Sequence, residues 1–190
     1  MELAARRGMN RTVYQPAEDS ALLAEAAVSR IEASDCILEV GTGSGYVAER
    51  IETETGATVV TSDVNPHAVA TARERGLQVV RTDLVAGFQA DTFDAVVFNP
   101  PYLPTEPETE WSDWMEVALS GGPDGLALIR PFLETVGRVL KADGTIYLLV
   151  SSLAGVDAVV ELAGERGYSA VVVTEESFPF ETLTVLALSR

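Results

Sequence analysis

Four consecutive residues, Asn99-Pro100-Pro101-Tyr102, carry the sharpest chemical signal in the chain. The Asn99 amide offers one acceptor and two donors. Pro100 lacks an N–H and has a fixed φ, so it presents a rigid carbonyl, and Pro101 restrains Pro100 to an extended conformation. Tyr102 adds a flat face that can stack on a planar group. Together they suit a planar amide or amine whose N–H bonds need matched acceptors. Read as an Asn-Pro-Pro turn, the tetrapeptide would only pack its Tyr. Its place directly after a buried apolar run, 93–98, and in series with three other motifs favours the chemical reading.

Those motifs each follow an earlier apolar run. Glu39-Val40-Gly41-Thr42-Gly43-Ser44-Gly45 closes the first. Gly41 and Gly43 let the backbone turn sharply and approach a ligand. The third glycine comes one residue earlier than in Gly-x-Gly-x-x-Gly, which argues against a nicotinamide oxidoreductase. Asp63 closes the second run. It can accept from both hydroxyls of a ribose, or it can cap a helix opened by Asn65-Pro66. Thr82-Asp83-Leu84 follows the third run. There an acid can hold an adenine amino group while the Leu84 amide donates to the ring; in isolation Asp83 is an ordinary loop aspartate.

The elements that must position these groups alternate. Apolar spacing predicts helices over 18–32, 44–54, 66–75, 125–140 and 156–166, and strands over 36–40, 57–62, 77–81, 93–98 and 144–151. Two late strands, 168–174 and 182–188, are close enough to form an antiparallel hairpin. A Pro-rich loop with scattered acids runs from Pro100 to about Met115. Alternating strands and helices imply an α/β fold with a mostly parallel, seven-stranded sheet covered on both faces. Ligands of such sheets bind beyond the strands' carboxyl ends, where all four motifs fall.

The 190 residues fit one domain, and 47% hydrophobic residues suffice for a core. One cysteine, Cys36, and one histidine, His67, exclude an intrachain disulfide and a structural zinc site. Met1–Arg7 is charged and is no signal peptide, and no apolar stretch is long enough to span a membrane, so a soluble, cytoplasmic protein is expected. Asp and Glu number 29 against 13 Lys and Arg, a formal charge of −16, and Lys141 is the sole lysine. This balance opposes stable binding to a nucleic-acid backbone. It fits either an acidic mesophile or, as the scarcity of lysine favours, a high-salt cytoplasm where screening shortens to about 3 Å.

Taken together, the glycine motif, Asp63, Asp83 and Asn99-Pro100-Pro101-Tyr102 resemble a Rossmann-like class I S-adenosylmethionine-dependent methyltransferase of the amino-group type. Val13-Tyr14-Gln15-Pro16-Ala17-Glu18-Asp19-Ser20 narrows the resemblance to the archaeal and eukaryotic HemK-like enzymes that methylate a glutamine of class I release factors. Ser120-Gly121-Gly122-Pro123-Asp124-Gly125 and Glu181-Thr182-Leu183-Thr184-Val185-Leu186 are similar to that family too, so the likeness covers nearly the whole chain.

The resemblance implies one methyltransferase domain over 1–190, with 1–34 a cofactor-covering segment and helix and 35–190 the core sheet. Bacterial relatives carry an extra helical domain for which this chain has no room. It implies S-adenosylmethionine contacts from Tyr14, Pro16, Ser20, Glu39, Gly41, Gly43, Asp63, Val64, Asp83, Leu84 and Asn99. Asn99 and the Pro100 carbonyl would hold the substrate amide, Tyr102 would flank it, and no metal is needed. A small zinc-binding activator protein would dock on the sheet edge at Leu77–Arg81, forming a heterodimer. Competing readings are amino methylation of nucleic-acid bases, methylation of protein lysine, and a non-catalytic cofactor-binding module.

Other residues read more plainly. His67 is a solvent-facing helix residue, Cys36 belongs to the core, and Lys141 precedes a turn. Trp111 and Trp114 either clamp a peptide or pack their loop down. Glu106, Glu108, Glu110, Asp113 and Glu116 form a solvated face or meet a basic patch on a protein substrate.

Overall fold

The computed structural model describes residues 12–105, 114 and 118–190. The expectations for Met1–Arg7, Trp111, Glu106, Glu108, Glu110, Asp113 and Glu116 lie outside those residues. Seven strands form one sheet: β1 (Cys36–Val40), β2 (Thr58–Asp63), β3 (Gln78–Arg81), β4 (Phe93–Phe98), β5 (Leu140–Ser151), β6 (Ser169–Ser177) and β7 (Thr182–Ser189). Their spatial order is β3-β2-β1-β4-β5-β7-β6. The first five are parallel, and β7 lies antiparallel between β5 and β6. Among the described residues five helices accompany them: α1 (Glu18–Val28), α2 (Tyr46–Thr55), α3 (Pro66–Glu74), α4 (Ile129–Thr135) and α5 (Val156–Glu165).

Period-two alternation splits the sheet's side chains between two cores. Ile37, Val59, Ala95, Val97, Tyr147, Leu149 and Val185 pack with α1, α2 and Ala72 of α3. Leu38, Val40, Val96, Phe98, Ile146, Leu148 and Leu186 pack on the opposite side with Ile129, Phe132, Val159 and Ala163. The Phe98 and Phe132 rings meet at 4.6 Å between centroids. Burial on both faces explains why these strands read as near-continuous apolar runs rather than strict alternation.

Two helices are shorter than their apolar spacing predicts. The first stops at Val28, because Ser29 donates its hydroxyl to the Ala26 carbonyl and the chain turns so that Ile31 is buried. The helix expected over 125–140 begins only at Ile129. Gly125 has φ +76°, outside the helical region, and a Cβ there would stand 2.8 Å from the Tyr102 carbonyl and 2.9 Å from Ala154 Cβ. At its far end a single 3-10 turn, Val136–Arg138, leads directly into β5 at Leu140, which already pairs with Phe93. Cys36 is half-buried at the sheet's amino-terminal end rather than fully in the core. His67 is exposed as expected, and Lys141 pairs with Asp94 at 2.8 Å.

Gly125 therefore joins the Asn99–Tyr102 turn to the loop after β5 by close backbone approach. Substituting Gly125→Ala is expected to cost about 1–3 kcal/mol of unfolding free energy, measured as a lowered midpoint in urea titration. An Ala variant as stable as the parent would show that this approach is not tight.

Candidate active site

Strand register creates the site. Val40 lies level with Ser62 on one side and with Phe98 on the other, and Asp63 lies level with Arg81. The residues that follow, Gly41, Asp63, Asn99 and Asp83, thus emerge along one edge of the sheet. Between β1 and β4 the order of connections reverses, and the chain ends diverge to leave a crevice. A cleft of about 230 Å³ opens there.

The cleft is lined by Tyr14, Ser20, Glu39, Gly41, Gly43, Asp63, Val64, Asp83, Leu84, Asn99, Pro100 and Tyr102. These are all the residues expected from the sequence except Pro16, which is exposed and lies outside the lining. Pro16 directly precedes Ala17, the N-cap of α1. Trp114 also reaches the lining.

The glycine loop is held by its own neighbours. Gly41 and Gly43 have φ +67° and +53°, and Gly45 enters α2 at +83°. At that φ any side chain is strained, and a Cβ at Gly45 would also press on Leu77 Cδ1 at 2.7 Å. Asp63 ties the loop to the next one: its Oδ2 accepts from the Gly43 amide at 2.9 Å and its Oδ1 from the Asn65 amide at 2.8 Å. The cap of α3 is Asn65, whose Oδ1 accepts from the His67 amide at 2.9 Å. Asp63 is therefore not the helix cap. It is a fixed carboxylate whose remaining lone pairs face the cleft, as a ribose acceptor requires.

Leu84 lies at φ +43°, rare for a branched residue, and Ser62 donates to its carbonyl at 3.2 Å. The strain fixes its backbone beside Asp83.

A segment before α1 lies over the glycine loop. Val13 is buried, Asn65 Nδ2 donates to the Thr12 carbonyl at 2.7 Å, and the Tyr14 carbonyl is 3.7 Å from a Cβ built on Gly43. Tyr14 donates its hydroxyl to Asp19 Oδ2 at 2.9 Å, and Asp19 also takes the Ser20 hydroxyl at 3.1 Å. Asp19, Thr42 and Asn65 were not singled out from the sequence. Asp19 was visible inside the Tyr14–Ser20 motif, whereas the roles of Thr42 and Asn65 follow only from the turns that bring them round.

The electrostatics of the cleft are one-sided. Among the described residues no Lys or Arg lines it, while Asp19, Glu39, Asp63 and Asp83 do. Burial pushes the Glu39 carboxyl up to about 8; the Thr42 hydroxyl, 2.5 Å from Oε2, opposes this, and the charge on Asp63 adds to it. Burial raises Asp63 as well, against the amides that hold it. Tyr14 and Tyr102 are also pushed well above the ordinary phenol range, first by burial and then by Asp19. Buried carboxylates without a counter-ion favour a cationic ligand, which stabilises their charged forms.

One further polar atom has no partner. Asn99 Oδ1 is buried and accepts no hydrogen bond among the described residues. An unsatisfied buried acceptor costs about 1–3 kcal/mol, and a ligand N–H at that point removes the cost.

Comparison with known proteins agrees with this geometry. A family model described as methyltransferase small domain matches residues 17–114. The chain belongs to that family. Human methyltransferase HEMK2 is 32% identical over 198 residues, covering 97% of this chain and 92% of that one. The release factor glutamine methyltransferase of Caulobacter vibrioides is 31% identical over 153 residues, 72% of this chain and 53% of that one. Among solved structures, the E. cuniculi Mtq2–Trm112 complex, described as responsible for methylating the translation termination factor eRF1, superposes with a TM-score of 0.77. It is 28% identical and the match covers 94% of this chain and 98% of that one. The chain is a HemK-like enzyme, and its cofactor is S-adenosylmethionine.

The residues present fit that cofactor. The carboxylates of the lining suit its ammonium and sulfonium charges, Asp63 suits the ribose, and the Asp83–Leu84 turn suits the adenine. When bound, the cofactor supplies an electrophilic methyl group. Because folded Glu39 holds its proton more tightly than an ordinary carboxyl, the stability this adds is full below about pH 4.5 and is lost as pH rises through about 8. Glu39→Gln removes the dependence. Between those pH values the cofactor-free variant is expected to gain stability relative to the parent by up to about 1.4 kcal/mol per pH unit, read from urea titrations at several pH values. Parallel curves would show that Glu39 is already ionised.

Proposed function

We propose that this enzyme methylates the side-chain amide nitrogen of the glutamine in the Gly-Gly-Gln loop of a class I release factor. The observation that carries the reading is the orphaned Asn99 Oδ1 beside the Pro100 carbonyl in the cleft. Two acceptors at a strand end match the two N–H bonds of a primary amide. The relatives named for glutamine methylation supply the chemical class, and the complex described as methylating a termination factor supplies the kind of protein.

The chain's part in the reaction is positioning. An amide nitrogen is a weak nucleophile because its lone pair is delocalised. Asn99 and Pro100, by accepting both N–H bonds, fix the nitrogen's orientation and increase its electron density as the new bond forms. Tyr102 flanks the acceptor, and the turn ahead of α1 keeps water from that side. Alignment of this kind lowers barriers by about 7–11 kcal/mol in favourable cases. The bound cofactor would supply the methyl group to this nitrogen and keep the electron pair on its sulfur, and the amide proton would leave to water. The raised phenols of Tyr14 and Tyr102 remain protonated and serve as donors, not bases.

The chain acts as one domain in the cytoplasm, with the segment before α1 covering the cofactor. A small zinc-binding activator protein pairs with it at the β3 edge. β3 ends the sheet, Val80 is 37% exposed there and Val79 is half-buried, so an uncovered edge would invite other chains. The formal charge of −16 suits an archaeal host with a high-salt cytoplasm, so potassium chloride belongs in every assay.

Asn99→Ala is expected to lower turnover about 10²–10³-fold while cofactor affinity stays within a few-fold. Mass spectrometry of the release factor's Gly-Gly-Gln peptide reads the first and calorimetry the second. Loss of cofactor binding in parallel with turnover would sink this division of roles. Val80→Asp is expected to weaken co-purification with the activator; an unchanged complex would move its docking site elsewhere.

A further inference from the structure

Phe180 is 93% exposed, which makes it the most exposed large apolar side chain among the described residues. Its position is not that of a loose tail. The Phe178 amide donates to the Glu181 carbonyl at 2.7 Å, closing the turn between β6 and β7, and Pro179 stiffens it. Phe178 packs inward against the core and leaves Phe180 at the tip.

That tip stands at the active end of the sheet. Leu183, at the start of β7, pairs with Ser151, at the carboxyl end of β5. The Ser152 amide donates to the Thr182 carbonyl at 2.9 Å, and the Thr182 amide donates to Ser152 Oγ at 3.0 Å. Ser151, fully buried, donates its hydroxyl to Glu181 Oε2 at 2.6 Å. Through Gly125 the same loop abuts the Tyr102 backbone. The Glu181 carboxylate is close enough to act on the Tyr102 phenol, second among the charges there after Asp19. Leu153, 44% exposed, and Leu103, 36% exposed, are the apolar residues next along this rim.

Resting on the function proposed above, we propose that the Phe178–Glu181 turn reads the acceptor protein. Phe180 is the apolar anchor and Glu181 takes a cationic side chain flanking the methylated glutamine. The occupant is the glutamine-bearing loop of the substrate, because the rim is continuous with the Asn99–Tyr102 acceptor pocket. Charge points the same way: among the described residues the charged side chains lining the cleft are all carboxylates, which favours a cation entering beside the glutamine. An aromatic ring on a proline-stiffened turn loses little freedom on binding, the property that makes such residues effective contact points. Glu181 is a positioning residue for the substrate and takes no part in methyl transfer.

The test is steady-state methylation of an intact archaeal class I release factor by the whole enzyme, with activator present, for the parent, Phe180→Ala, Phe180→Leu and Glu181→Gln. Gln can still accept from Ser151, so that variant removes charge while keeping the turn fastened. Phe180→Ala is expected to raise KM for the release factor about ten-fold or more, with partial recovery in Phe180→Leu. Glu181→Gln is expected to raise KM by an amount that shrinks in molar potassium chloride, whereas the Phe180→Ala effect persists. In all three, kcat and the calorimetric Kd for S-adenosylmethionine stay at parent values. KM values within two-fold of the parent would overturn the inference while leaving the function intact. A cofactor Kd that shifts with KM would also overturn it, by showing that the turn is only structural. No methyl transfer by the parent, despite cofactor binding, would bring down the substrate reading and this inference with it.

Discussion

The parallel hydrogen-bond register of β1, β2 and β4 is the constraint on which the molecule depends. A slip of one residue would turn each strand's side chains to the opposite face and exchange the two cores. Ile37, Ala95 and Val97 are committed to one core and Leu38, Val96 and Phe98 to the other, so both layers enforce the same alignment. That alignment brings Gly41, Asp63 and Asn99 out at one level. The geometry of the cleft is thus inherited from the hydrophobic packing beneath it. Ligand-facing atoms are fixed without large side chains having to reach for them.

Around this row the loops bind one another before they bind a ligand. Asp63 holds Gly43 and Asn65, Asn65 holds Thr12, and Tyr14 holds Asp19. The result is a preorganised rim in which few groups must move when a cofactor enters. Its electrostatics are left unbalanced. Buried Glu39 and Asp19 and half-buried Asp63 share a lining that holds no base among the described residues. Such an arrangement is unfavourable in isolation and becomes favourable beside a cation. The cleft's affinity and its cost in stability have the same origin.

On the substrate side the same economy of parts applies. Backbone contacts at Gly125 and the Ser152–Thr182 hydrogen bonds draw three segments distant in sequence, Asn99–Leu103, Ser151–Ala154 and Phe178–Thr182, into one rim. Variation in the outer two can alter what is methylated without touching the acceptors that orient the nitrogen.

Much of this was legible in the residues themselves. Seven strands and five helices follow from apolar runs, because a sheet buried on both faces leaves an unbroken hydrophobic mark. The site motifs follow from glycine, proline and acid types at strand ends, where the chain's own covalent geometry limits what each can do. The helix expected over 125–140 was misjudged because apolar spacing does not register that Gly125 must turn against Tyr102. Pro16 belongs to the same motif as Tyr14 and Ser20 but lies outside the cleft lining. Asp63 illustrates the division most clearly. Its type and place after β2 allowed two roles, and only the folded loops, by giving the cap to Asn65, left it facing the cleft. Local sequence determines which groups are available and which elements carry them. Tertiary structure alone decided that Asn99 Oδ1 would lack a partner among the described residues and that Glu181 would be held by Ser151, since both depend on how segments far apart in the chain come together.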